Sequence, residues 1–202
     1  MDIDELIFVK ENSLSREFCD HVIEKFKKDS NTYQGVTGGG LRLETKQSLD
    51  LNVSRHEEWV EEDKVFSDSL SEGVIDYTRY LNVIIPNYTN WDDLSDTGYQ
   101  VQETKANSFY NWHHDALHEK YKDGTIKQRI FTFIWYLNDV DERNNGYTEF
   151  LGGFRNQPKC GDLLFFPASW LLAHRGYPPR KQKKYICTGW LSSEIYISER
   201  KT

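Results

Sequence analysis

The sequence predicts a mainly β fold with flanking helices, built as a double-stranded β-helix, the jelly-roll arrangement of two facing sheets. Three observations predict it. From about residue 97 onward, short apolar or alternating stretches recur between turn signals. Residues 130–137 are apolar almost throughout, the pattern of a strand buried on both faces. Helical periodicity is confined to the first half of the chain, where it can cover a sheet from outside.

In chain order, Leu6-Ile7-Phe8-Val9 reads as a first strand. Ser13 or Ser15 can cap the helix that follows, in which Phe18, Val22, Ile23 and Phe26 recur at helical spacing. Residues 31–40, ending in Gly38-Gly39-Gly40, read as a flexible loop, either a flap over a site or a plain linker. The loop lacks the Lys-Ser/Thr ending of a phosphate cradle. Leucines and a valine at odd positions predict one or two half-buried strands over residues 41–53. A second helix is predicted over residues 56–81, its apolar face being Val60, Val65, Phe66, Leu70, Val74, Ile75 and Tyr77 and its acidic side facing water. Residues 86–96, around Trp91, are rich in Asn, Asp and Ser and read as loop.

The remainder is read as short strands. Residues 99–104 and 109–113 flank a turn at Lys105-Ala106-Asn107-Ser108; Asp123-Gly124 and Asn144-Asn145-Gly146 mark further turns. Residues 130–137, 147–151, 163–166 and 185–191 are further strands, the third ended by Pro167, and residues 170–173 lead into His174. The whole chain, 1–202, is expected to be one domain, with 1–96 a helical and strand support region and 97–202 the core that carries the site.

Composition narrows the function. A net charge of −7 makes nucleic acid and anionic membrane surfaces unfavourable general partners. Cys19, Cys160 and Cys187 are odd in number, widely spaced and outside any Cys-x-x-Cys motif, so they are expected to be free thiols in a reducing compartment. The first residues lack a basic-then-apolar leader and no long apolar run occurs, which leads to the expectation of a cytoplasmic protein.

The chemistry concentrates in Asn111-Trp112-His113-His114-Asp115 and, downstream, in His174 and Lys184. In an extended strand His113 and Asp115 point the same way and His114 the other. With His174 they would form a two-histidine, one-carboxylate face that leaves coordination positions open, the arrangement of non-heme Fe(II) oxygenases. Lys184 adds a compact cation suited to the far carboxylate of a dicarboxylic co-substrate. Tyr110, Trp112, Trp135 and Trp170 are candidates for walling the pocket, or equally for packing the core. Arg175, Arg180, Lys181, Lys183 and Lys184 form a basic cluster that is either a solvated turn or a contact for an acidic peptide or a nucleic-acid strand.

Residues 102–191 resemble the Fe(II)- and 2-oxoglutarate-dependent dioxygenases, and among them the prolyl 4-hydroxylase-like branch. The resemblance is carried by Tyr110-Asn111-Trp112-His113-His114-Asp115, Tyr136-Leu137-Asn138-Asp139, Asn145-Gly146-Tyr147-Thr148-Glu149-Phe150, Gly161-Asp162-Leu163-Leu164-Phe165-Phe166-Pro167, the His174-Arg175-Gly176-Tyr177-Pro178 run, and Lys184-Tyr185 before Trp190. It implies His113, Asp115 and His174 as iron ligands. It also implies Lys184, rather than neighbouring Lys183, as partner of the distal 2-oxoglutarate carboxylate. Thr104 stands where the family often has a tyrosine that touches 2-oxoglutarate; Tyr110 matches an aromatic position on the substrate side, and Thr148 a threonine facing the iron. The resemblance further implies O2 as co-substrate, ascorbate as a supporting reductant, and hydroxylation of a peptidyl proline or similar peptide side chain with release of succinate and carbon dioxide. The same chemistry on a free amino acid or other small molecule is the second expectation. A cupin-like metal-binding module without turnover is the third.

Overall fold

In the computed structural model, which describes residues 2–85, 93–121 and 123–196, the centre of the molecule is a long antiparallel pair. The elements in order are β1 (Phe8–Lys10), α1 (Arg16–Lys28), β2 (Tyr33–Gln34), β3 (Leu49–Asn52), α2 (Val60–Ile84), β4 (Ser95–Asp96), β5 (Gln100–Thr104), β6 (Tyr110–His113), β7 (His118–Lys120), β8 (Thr125–Tyr136), β9 (Thr148–Phe150), β10 (Arg155–Asn156), β11 (Leu163–Pro167), β12 (His174–Gly176) and β13 (Lys184–Tyr196). The pair β8–β13 anchors a nine-stranded sheet of order β1-β11-β8-β13-β5-β3-β2, with β4 added on β13 and β7 on β8. Facing it is a four-stranded sheet of order β10-β9-β12-β6. All pairings are antiparallel, the architecture expected from the strand pattern.

The near-continuous apolar run of β8 serves two cores at once. Side chains alternate along a strand, so Phe131, Phe133 and Trp135 enter the cluster beneath α1 and α2, with Val22, Phe26, Phe66, Leu70 and Tyr77. Ile134 and Tyr136 enter a smaller cluster with Leu164, Phe166 and Phe150. The helix-side cluster is the larger. The inner face is apolar at the β11 side and polar toward β5 and β3, and that polar end is where a pocket opens.

Both helices form, with shifts that have physical causes. Ser15 caps α1, its hydroxyl accepting the Phe18 N–H at 3.1 Å. Helix α2 begins four residues later than expected, and Val60, Val65 and Ile75 are exposed; the buried stripe is Phe66, Ser69, Leu70, Gly73, Tyr77 and Leu81, at spacings of three and four. Gly73 belongs to it because the helix lies tight on β11: a Cβ there would sit 2.6 Å from Leu163 Cδ2 and 2.8 Å from Phe165 Cε2. Gly73→Ala should therefore lower stability by up to about 2 kcal/mol. Overpacking of roughly 1–3 kcal/mol outweighs a helix-propensity gain of about 1 kcal/mol. A urea-unfolding midpoint at or above that of the wild type would contradict this.

The odd-position leucines of residues 41–53 do not make two strands. Only Leu49–Asn52 pairs as expected; Leu41 and Leu43 are exposed, and Thr45 and Lys46 both turn back to the Arg42 carbonyl. Local turn hydrogen bonds took the backbone groups that a ladder would have used. Residues 170–172 form a short 3-10 turn ahead of β12, and β8 and β13 run longer than their apolar segments. Most of the loop expected at 86–96, including Trp91, lies outside the described residues. Among the described residues no helix is long and apolar enough to cross a membrane, and Cys19, Cys160 and Cys187 are free and buried.

Candidate functional site

Strand pairing brings the distant imidazoles together. His174 of β12 sits opposite His113 of β6, and the register shifts immediately after it, between His174 and Gly176. The ring centroids are 4.3 Å apart. Asp115, two residues past His113, turns its carboxylate to the same side: Oδ1 lies 4.0 Å from His113 Nε2 and Oδ2 3.6 Å from His174 Nε2. One donor atom from each of the three lies within 4.8 Å of the others, an arrangement that could hold a metal ion.

The surroundings prepare these donors. His113 Nδ1 is 2.8 Å from the Asn111 carbonyl and His174 Nδ1 3.0 Å from the Leu172 carbonyl. A carbonyl only accepts, so each Nδ1 carries the hydrogen and each Nε2 offers its lone pair to the centre. Burial, reinforced by His174, pushes His113 down to about 3, which keeps the imidazole neutral at ordinary pH. Burial opposes the charge on Asp115, yet the two histidines and the Thr132 hydroxyl, donating at 2.8 Å, hold its pKa below the usual value. Thr132 belongs to β8, so the carboxylate is fixed by the opposite sheet. On the outer side, Glu149 of β9 accepts from Arg175 Nε at 2.6 Å and from Arg155 Nε at 2.8 Å, pinning β12 to its neighbours.

The three donors lie in a pocket of about 390 Å³ between the sheets. Its floor is the inner face of the large sheet, with Thr104 of β5 directly opposite Lys184 of β13. Lys184 is buried, and among the described residues its ammonium has no ion pair or hydrogen bond; burial alone pushes it down to about 8. Its Nζ lies above Gly176, where even a Cβ would stand 3.5 Å away. A buried cation without a counter-charge is costly and fits an anionic ligand entering from the pocket. Lys183 points elsewhere and pairs with Glu103 at 2.9 Å. Thr148 lines the pocket and bonds the Tyr136 hydroxyl at 2.8 Å; Tyr110 lies flat on His113 at 3.6 Å.

The model of the 2OG-Fe(II) oxygenase superfamily matches residues 99–192, the stretch holding all three metal-binding candidates and Lys184. Over 94% of this chain, the sequence is 23% identical to prolyl 4-hydroxylase 13 of Arabidopsis thaliana, of which it covers 72%, and 27% identical to that plant's probable prolyl 4-hydroxylase 8, of which it covers 69%. The matched stretch is similar to the 2OG-Fe(II) oxygenases, and nearly the whole chain is similar to prolyl 4-hydroxylases. The chain shares its fold with a prolyl hydroxylase from Trichoplax adhaerens solved with a hypoxia inducible factor peptide fragment (TM-score 0.71, 16% identity, 94% of this chain and 84% of that one). The viral collagen prolyl hydroxylase of Paramecium Bursaria Chlorella virus-1, solved as a 2OG complex, is also similar (TM-score 0.63, 18% identity, 93% and 96%). The superfamily whose model matches uses Fe(II), 2-oxoglutarate and O2.

Of the four aromatics expected either to wall the pocket or to pack the core, Tyr110 lines the pocket and Trp135 packs the core, while Trp112 and Trp170 do neither. Trp112 neighbours His113 in β6 and so faces away, stacking its exposed ring with Arg175; Trp135 points into the helix-side core, donating to Ser69 Oγ at 3.2 Å; Trp170 is 67% exposed on its 3-10 turn. The indole that does line the pocket is Trp190, which is directed at Asp115 and helps to keep that carboxylate ionised, and whose ring carries the Arg129 guanidinium at 3.5 Å. Gln100, Gln102, Thr132, Thr188 and Asn52 also line it. Their signal was the even-numbered polar face of otherwise apolar strands. The basic cluster disperses, Arg175 and Lys183 binding separate carboxylates and Arg180 and Lys181 facing solvent. Val36, Thr37 and Gly38 of the glycine-rich loop reach the pocket wall. His114 lies at the exposed rim, outside the donor cluster, so His114→Ala should leave metal affinity unchanged in a Co(II) titration; a weakened affinity would make it a ligand.

Proposed function

We propose that this chain is an oxygenase that hydroxylates a C–H bond of a peptidyl proline or similar peptide side chain, with His113, Asp115 and His174 holding Fe(II) and Lys184 binding the distal carboxylate of 2-oxoglutarate. The observation that carries the reading is the unpaired, buried ammonium of Lys184 in the same pocket as three convergent donor atoms. Bound iron supplies oxidising power: 2-oxoglutarate, O2 and the substrate C–H become succinate, carbon dioxide and C–OH.

The chain's own residues do the rest. His113, kept neutral by burial, and His174 present Nε2, while Asp115, kept ionised and oriented by Thr132, contributes negative charge. Thr104, beside Lys184, and Thr148, held by Tyr136, offer hydroxyls to the co-substrate. Tyr110, pushed up to about 12 by burial and the Asp115 charge, stays a neutral phenol on the substrate side. Arg129 and Trp190 form a cationic and aromatic wall suited to a peptide carbonyl and an apolar ring.

Residues 1–202 are proposed to work as one oxygenase unit, 1–96 supporting and 97–202 catalytic. In support, β1, β2 and β3 are strands of the same sheet as β5, β8, β11 and β13. A cytoplasmic setting, supported by three unpaired cysteines, and use of ascorbate belong to the same proposal. The test is succinate release that requires both Fe(II) and 2-oxoglutarate, followed by mass spectrometry of proline-containing peptides for a gain of one oxygen. Turnover stimulated by free amino acids alone, with every peptide unmodified, would replace the peptide substrate with a small one.

A further inference from the structure

Residues 44–52 pass from the edge of the small sheet into the large one beside the pocket. The Thr45 carbonyl accepts Asn111 N–H at 2.8 Å, the Glu44 carbonyl accepts Asn111 Nδ2 at 2.8 Å, and Gln47 N–H donates to the Phe109 carbonyl at 2.8 Å. Lys46 itself bridges Tyr110, so the segment is laid along β6 before it becomes β3. Within the crossing, Lys46 Nζ meets Asp50 Oδ2 at 2.7 Å, and Ser48 Oγ donates to Asp50 Oδ1 at 2.7 Å. Both charged side chains are buried, Asp50 completely, and a Cβ on Gly35 would collide with Ser48 Oγ.

Burying such a pair costs several kcal/mol per ion, and apolar residues of similar volume often serve stability as well. Its location gives it another use. Lys46 Nζ lies 5.4 Å from the centroid of the Tyr110 ring, and one face of that ring is taken by the His113 imidazole, nearly parallel at 13°. The cation is drawn to the remaining face by the ring quadrupole. Asp50 neutralises it, so its net charge near a metal is small and its position is what matters.

We propose that Lys46 is a positioning residue of the metal centre, holding Tyr110 flat against His113 and thereby fixing the plane in which His113 presents Nε2. The inference rests on the reading of His113, Asp115 and His174 as metal ligands. It makes a residue of the support region part of the site's outer shell, where losing a partner typically weakens metal binding by roughly 10–100-fold.

The test titrates metal-free protein with Co(II) and records affinity, the ligand-field spectrum of bound cobalt, and the melting temperature without metal. Lys46→Met alone would leave Asp50 charged and unpaired, so the variant is Lys46→Met with Asp50→Asn, which keeps the Ser48 hydrogen bond. Lys46→Gln, which can still donate to Asp50, serves if that pair fails to fold. Either is expected to weaken Co(II) binding about tenfold and alter the cobalt spectrum, while Lys46→Arg retains both. Wild-type affinity and spectrum in the folded variants would overturn the proposal. So would a loss that merely follows the fall in melting temperature with the spectrum unchanged. His174→Ala run alongside separates the two ideas: if it binds Co(II) like the wild type, the ligand assignment itself is wrong.

Discussion

His174→Ala is expected to abolish Fe(II)-dependent succinate release, by at least about a thousandfold, and to lower the iron retained per chain. A catalytic metal contributes several kcal/mol, and each 1.4 kcal/mol or so is a factor of ten in rate. His174 Nε2 faces Asp115 Oδ2 across 3.6 Å, and His174 is itself buried, so no other described His, Cys, Asp or Glu completes the cluster in its place. His113→Ala and Asp115→Ala should behave alike. Asp115→Ala would also release Thr132, whose hydroxyl donates to that carboxylate. A purified His174→Ala protein that makes succinate at the wild-type rate would refute the assignment.

Lys184→Ala should raise the KM for 2-oxoglutarate about a hundredfold, because truncating one partner of a buried charge pair typically costs roughly 2–5 kcal/mol. The effect has a pH signature. Burial depresses Lys184 from 10.5 to about 8, so the free enzyme holds the ammonium below that pH and loses it above. Co-substrate affinity should therefore be full below about pH 8 and fall about tenfold per pH unit above it, with proton uptake on binding in the alkaline range. In Lys184→Ala that alkaline fall should disappear. Isothermal titration of 2-oxoglutarate with Mn(II) in place of iron would measure both; an unchanged affinity or an unaltered pH profile would move the role to another residue.

Much of the architecture was readable because strands that face two cores leave distinctive runs. The stretch around Phe133 and Trp135 could hardly be anything but a doubly buried strand, and Ser15 announced its helix. The failures have one source. Leu41 and Leu43 alternate like strand residues, but period-two spacing does not say whether a neighbour will be present to complete the ladder, and here turns took the hydrogen bonds instead. Val60, Val65 and Ile75 are apolar on an acidic helix, and only the tight seat of Gly73 on β11 decides which stripe faces inward. Trp135 was open to either a pocket or a core role, since a buried strand has two interiors.

By itself, the order of residues determined the chemistry available: two imidazoles, a carboxylate at strand spacing, a lysine beyond them, and enough alternating strands to enclose them. Covalent spacing carries that information because period two sets which side chains share a face. Only the tertiary structure decided that His174 pairs with His113 across a ladder and that Lys46, Asn52 and Arg129 stand around the pocket. Those outcomes depend on register and sheet-to-sheet packing, in which each group's position is set by contacts with residues far away in the chain.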